Sequence, residues 1–163
     1  MTKADDAARI GTAFGQLLLR SNRAHLYDTL TGTSDGVDET TYPVLSGLAR
    51  LGSATATELA AQIGLDRTVT TRHATRLEEA GLLTRLADSS DARATVLQLT
   101  DRGDRVVRDM RDRLNQLIAR AMTGWNATQT RAFADMFEQL AQVIAAGAGT
   151  SSENGTAGSQ RAT

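Results

Sequence analysis

Between Thr55 and Gly81 the sequence writes two helix starts and two helix stops in quick succession. In "TATELAAQIG", Thr55 and Glu58 hold the S/T-x-x-E spacing of a capping box, where each side chain satisfies the other residue's free backbone N–H. Gly64 fits a left-handed stop. Asp66 is a good N-cap for a second helix, expected over Arg67 to Ala80, and Gly81 ends that helix in turn. Two helices joined by a few residues around a glycine read as a helix-turn-helix.

The flanking sequence extends this frame. Ile10, Phe14, Leu17, Leu18 and Ala24 recur at helical steps, so one helix is expected from Asp5 to about Leu30. "TGTSDGVD" reads as a loop by its Gly, Ser and Asp content. A helix is expected from about Glu39 to Arg50, with Val44, Leu45 and Leu48 inward; Pro43 suits only its first turn. After Gly81, Leu82–Leu86 and Thr95–Leu99 read as two short strands around the turn "ADSSDARA". Thr100 then caps a long helix carrying Val106, Met110, Leu114, Leu117 and Ile118 on one stripe. Asn126 and Gln129 start another, with Phe133, Met136, Phe137, Leu140 and Ile144, to about Ala146. Gly147 to Thr163 lacks apolar periodicity and is expected to be disordered. The fold class is therefore mainly α with a small β-hairpin wing: a winged helix-turn-helix plus a helical region.

The second helix of the motif separates two chemistries. Thr70, Ala74 and Leu77 form an inward side; Thr68, Arg72, His73 and Arg76 form the other, with Val69 and Thr71 at the margins. Between Arg67 and Arg76 lie three arginines, a histidine and four threonines, with no acid. A helix fits the major groove of B-DNA, arginine pairs bidentately with guanine, and threonine suits a phosphate or a thymine methyl. The first-turn N–H groups of this helix offer a further place for a phosphate. A thin hairpin fits the adjacent minor groove.

Composition narrows the alternatives. Net charge is −1, so contact with nucleic acid has to come from a local patch. There is no cysteine, which excludes disulfides, thiol switching and Cys-ligated zinc. Two distant histidines, His25 and His73, make no metal site, and no G-x-S-x-G, H-E-x-x-H or phosphate loop occurs. Neither an enzyme nor a cofactor is expected. The N-terminus has no basic-then-apolar leader and no stretch would span a bilayer, so a cytoplasmic protein without membrane contact is expected.

These residues resemble the MarR (multiple antibiotic resistance regulator) family of winged-helix regulators. The family's wing has the form D-x-R, a strand, then L-T-x-x-G; here stand Asp91, Ala92, Arg93, then Val96, Leu97, Leu99, Thr100 and Gly103. The family's reading pattern T-R-x-x-x-x-L-E-x-x-G-L matches Thr71, Arg72, Leu77, Glu78, Gly81 and Leu82. The likeness covers about Ile10 to Ile144. It implies a homodimer that binds double-stranded DNA at a pseudo-palindromic operator, with Arg72 reading bases, Arg93 entering the minor groove and Asp91 orienting Arg93. Many family wings read Asp-Arg-Arg, and Ala92 departs from that. The resemblance also implies a small phenolic or lipophilic effector between the dimerisation helices and the winged domain. Leu18, Arg20, His25, Tyr42, Leu45 and Arg105 are the expected liners.

The resulting organisation is a dimerisation helix over 1–36, a winged DNA-binding domain over 37–100, dimerisation helices over 101–146 and a tail over 147–163. Dimerisation also has a physical argument: Met122, Trp125, Phe133, Met136 and Phe137 lie outside the small winged core and need a partner surface. Two function classes stay open. One is a DNA-binding regulator, most simply a repressor, with Arg67, Thr68, Val69, Thr71, Arg72, His73, Arg76, Asp91 and Arg93 at the interface. The other is a winged-helix interaction protein that binds a protein partner; the acid-free run from Arg67 to Arg76 speaks against it.

Overall fold

A computed structural model describes residues 2–32, 36–87 and 94–153, with side chains described as far as residue 146. Helices α1 (Lys3–Leu18), α2 (Arg20–Thr31), α3 (Tyr42–Leu51), α4 (Ala56–Ile63), α5 (Arg67–Glu79), α6 (Asp101–Ala121) and α7 (Ala127–Glu153) are joined by three strands, β1 (Ser53–Thr55), β2 (Leu83–Ala87) and β3 (Thr95–Leu99). The chain divides into two compact units, Met1–Leu117 and Ile118–Thr163.

The first unit holds the winged helix-turn-helix. Thr55 and Glu58 form the expected capping box on α4, and Gly64 stops that helix in the left-handed region at φ 67°. Asp66 caps α5 with its side chain. Pro43 falls in the first turn of α3, where its missing N–H costs nothing, so α3 starts at Tyr42 rather than Glu39. Strand β3 lies between β1 and β2, antiparallel to both, with Ala54 opposite Leu97 and Leu83 opposite Leu99. Two of these strands were expected. β1 was not, because Ser-Ala-Thr carries no apolar alternation and is a strand only through its pairing with β3.

The core of this unit gathers Val44, Leu45, Leu48, Leu59, Ala74, Leu77, Leu82, Leu83, Leu97, Val107 and Met110. Every element of the winged domain contributes to it, which is what fixes α5 against the sheet. Thr100 joins the wing to α6: its hydroxyl donates to the Gly81 carbonyl at 2.8 Å and accepts from the Gly103 N–H at 3.1 Å.

The helix expected from Asp5 to Leu30 is two helices, broken at Leu19, whose backbone is extended (φ −57°, ψ 135°). No proline or glycine marks this break. The Gln16 carbonyl accepts from the Leu19 N–H at 3.2 Å and from the Asn22 side-chain amide at 2.8 Å, which closes the end of α1.

In the second unit, Asn126 and Gln129 cap α7 reciprocally. Trp125, Phe133 and Phe137 line up, with ring centroids 5.2 Å and 5.7 Å apart. Helix α7 continues to Glu153, beyond the end expected near Ala146, and the rest of the expected tail lies outside the described residues. No described helix is long and apolar enough to cross a membrane.

Candidate nucleic-acid interface

Helix α5 is two-faced in the way its sequence requires. Thr70, Ala74 and Leu77 are fully buried, while Arg67, Thr68 and Arg72 are exposed and Val69 and Thr71 half-buried. The Thr70, Thr71 and Thr75 hydroxyls donate back to carbonyls four residues earlier, so these threonines sit in the helix without an unpaired donor. The Asp66 carboxylate accepts from the Thr68 N–H at 2.7 Å and the Val69 N–H at 3.3 Å. Those two bonds hold its pKa below the ordinary carboxylate value. They also correct one expectation: two of the first-turn N–H groups are already taken and are not open to a phosphate.

Two more expectations change on this helix. His73 was placed on the groove side, yet it is buried, with 7% of its surface exposed. The 3.6-residue period turns it from the Arg72 face toward α5's packed side. Arg76 is exposed but engaged: it pairs with Asp38 at 2.7 Å and donates to the Thr40 hydroxyl at 3.1 Å. It therefore ties α5 to the segment before α3. Arg85 on β2 makes a second tie, to Glu78 at 2.7 Å and to the Thr75 hydroxyl at 2.9 Å. Among these arginines, Arg67 and Arg72 are left pointing out from α5 without a described partner. Asp91 and Arg93, the expected wing residues, lie outside the described residues.

Asp38 is the anchor of the Arg76 tie. Its carboxylate also accepts from the backbone N–H groups of Thr40 and Thr41, each at 2.9 Å. Burial pushes its pKa up, but the Thr40 hydroxyl, the Arg76 guanidinium and these N–H groups outweigh that and hold it well below the usual range. A folded-state pKa lowered below the unfolded one stabilises the fold above the unfolded value and loses that effect as pH falls. The thermal midpoint is therefore expected to drop as pH goes from about 5 to about 3. Asp38→Asn should flatten that slope, as read by circular dichroism melts; parallel slopes for the two proteins would refute the assignment.

A cleft of about 930 Å³ opens within the first unit. Arg20, Arg23 and Tyr27 of α2, Tyr42 and Arg50 of α3, His73 of α5 and Arg111 of α6 line it. Of the expected effector liners, Arg20 and Tyr42 are here. Leu45 is fully buried in the core, Leu18 is exposed on α1, and Arg105 is exposed away from the cleft wall. His25 lines a smaller recess with Asp28 and Thr31. Arg23, Tyr27, Arg50, His73 and Arg111 were missed. Part of the signal was present: Arg20, Arg23 and Tyr27 follow i, i+3, i+7 and share one face of α2. Among the described residues no group of three or more His, Asp or Glu could hold a metal ion.

A helix-turn-helix followed by an antiparallel strand pair, with a third short strand completing the sheet, defines a winged helix-turn-helix protein. Residues 37–95 match the MarR family model. Solved structures agree on the fold. A MarR family protein from Bacillus stearothermophilus is 18% identical with a TM-score of 0.74, over 89% of this chain and 99% of that one. A MarR transcriptional regulator from Methanosarcina mazei Go1 is 20% identical with a TM-score of 0.66, over 83% and 95%. The PcaV transcriptional regulator from Streptomyces coelicolor, in complex with its natural ligand, is 24% identical with a TM-score of 0.52, over 88% and 94%.

Proposed function

We propose that this protein is a homodimeric transcriptional regulator that binds a pseudo-palindromic DNA operator and represses from it, and that it is neither an enzyme nor a membrane protein. One observation carries the reading: α5 presents Arg67, Thr68 and Arg72 outward with no acid among them, while Thr70, Ala74 and Leu77 lock its opposite side into the core. That is the arrangement a helix needs to enter a major groove rigidly. In this reading Arg72 contacts a base edge, Thr68 and Arg67 contact the backbone, and Asp91 and Arg93 serve the wing at the minor groove. Arg76 is a positioning residue that fixes the helix through Asp38.

Dimerisation is supported by the apolar side chains left exposed on the terminal helices. Leu17, Leu18 and Leu19 are all more than half exposed, and so are Met136 at 61% and Val143 at 70%. Surfaces like these are covered in a stable protein, and a two-fold partner matches two operator half-sites. Residues 1–36 and the helices from 101 onward are assigned to this contact. The cleft on α2, α3, α5 and α6 is assigned to a small-molecule effector, since its size falls in the range of ligand sites.

The test is a gel shift with DNA from upstream of the protein's own coding region, together with sedimentation to measure the oligomer. Arg72→Ala is expected to cost about 1–3 kcal/mol and to relax specificity at one base position, with the fold intact. Binding should also weaken steeply between low and moderate salt. Unchanged affinity for Arg72→Ala would remove it from the groove, and a failure to shift any upstream DNA would move the reading to a protein partner.

A further inference from the structure

Strand β2 runs against the usual alternation. Arg85 stands opposite Leu97, and Leu97 stands opposite Ala54, so Arg85 shares a row with two buried core residues, while Leu86 is exposed. Facing residues put their side chains on one face of a sheet. An aliphatic side chain at this position would extend the core, and an ion pair as open as Arg85 with Glu78 adds little stability. Arg85 instead splits its donors between two partners on α5. Its Nε donates to the Glu78 carboxylate at 2.7 Å and its Nη2 to the Thr75 hydroxyl at 2.9 Å. Thr75 and Glu78 lie three residues apart on one face of α5, so the two bonds together set the distance and the rotation of β2 against that helix. The Thr75 hydroxyl in turn donates to the Thr71 carbonyl at 3.1 Å, beside exposed Arg72. Past Arg85, Leu86 and Ala87 are exposed, so the tie sits where β2 leaves the core.

We propose that Arg85 is a positioning residue for DNA recognition: through Glu78 and Thr75 it fixes the angle between the first strand of the wing and the reading helix. The proposal rests on the assignment of α5 to the major groove and of the wing to the minor groove. Adjacent grooves of a duplex stand in a fixed relation, so two elements that enter both bind better when their angle is set beforehand. Arginine suits the task because its planar group carries donors on more than one edge, whereas lysine offers a single point.

The test is dimethyl sulfate protection by the full chain. The probe is an upstream fragment that the protein shifts, with A·T pairs placed in the minor grooves flanking each half-site. The reagent methylates guanine N7 in the major groove and adenine N3 in the minor groove, so one experiment reads both elements. The parent is expected to protect both. Arg85→Met should keep the N7 protection, lose the N3 protection and bind about tenfold more weakly. Its thermal midpoint should stay within about 4 °C of the parent, which a merely structural role would not allow. Glu78→Ala should lose the N3 protection in the same way, although it leaves the arginine in place. Binding that Glu78→Ala leaves intact or tightens would make Arg85 a direct phosphate contact and overturn the positioning role. Both protections kept in Arg85→Met, or both lost in step with unfolding, would overturn it as well. A parent that protects N7 without N3 overturns the tie to the wing and leaves α5 as the reading helix. A parent that protects neither overturns the DNA-binding reading itself, and the role of Arg85 with it.

Discussion

Alanine at Gly103 is expected to destabilise the protein by about 3 kcal/mol, the upper end of what one methyl group forced into a packed site costs. The reason is space, since Gly103 does not have a positive φ. A Cβ there would run into the Leu82 backbone carbonyl. That carbonyl cannot step aside cheaply. It accepts from the Thr100 N–H at 3.1 Å, and Leu82 is fully buried. The start of α6 and the end of the helix-turn-helix are pressed together at this one point. Gly11, in α1, is the control: nothing lies within 4 Å of its would-be Cβ, so Gly11→Ala should stabilise slightly through helix propensity. Urea unfolding compares the two, and equal midpoints for Gly103→Ala and the parent would show that α6 does not seat against Leu82.

Leu77→Ala is the second large effect, about 2–5 kcal/mol, because the side chain is fully buried between α5 and the core. Its interest lies in the contrast with Arg72, five residues earlier on the same helix and exposed. Arg72→Ala should leave the unfolding midpoint within about 0.5 kcal/mol and act on DNA affinity alone. Leu77→Ala should lose DNA affinity only in proportion to the unfolded fraction, so working at low temperature should recover it. Affinity that stays lost in the folded variant would mean Leu77 also sets the pose of α5.

The contrast shows which parts of the protein are legible in its sequence. Caps and stops are local physics: Thr55 with Glu58, Gly64, Asp66 and Asn126 with Gln129 all act within a few residues of themselves, and each one reads correctly. The inward side of α5 is legible for the same reason, since Thr70, Ala74 and Leu77 obey the helical period. What fails is set from far away. β1 exists because β3 lies beside it, the break at Leu19 has no local breaker, and Arg76 is engaged by Asp38 from the other side of α3. His73 shows the same limit in one residue. A period counted from Arg72 gives its side only coarsely, and burial on that side is decided by the neighbouring elements. The cleft is the least legible feature, because its wall is gathered from α2, α3, α5 and α6, which lie far apart in the sequence.

Thr55 occupies two roles at once: it is the N-cap of α4 and it pairs with Val96 at the edge of the sheet. The two halves of its environment differ in how soon they can form. The capping box and the α4–α5 hairpin are local and can assemble early, whereas β1 meets β3 only after the whole helix-turn-helix has been traversed. Mutations in β1 or β3 should therefore register chiefly in the unfolding rate, and mutations in α4 or α5 chiefly in the folding rate. The β1–β3 pairing, formed after the rest, is expected to be the first to open.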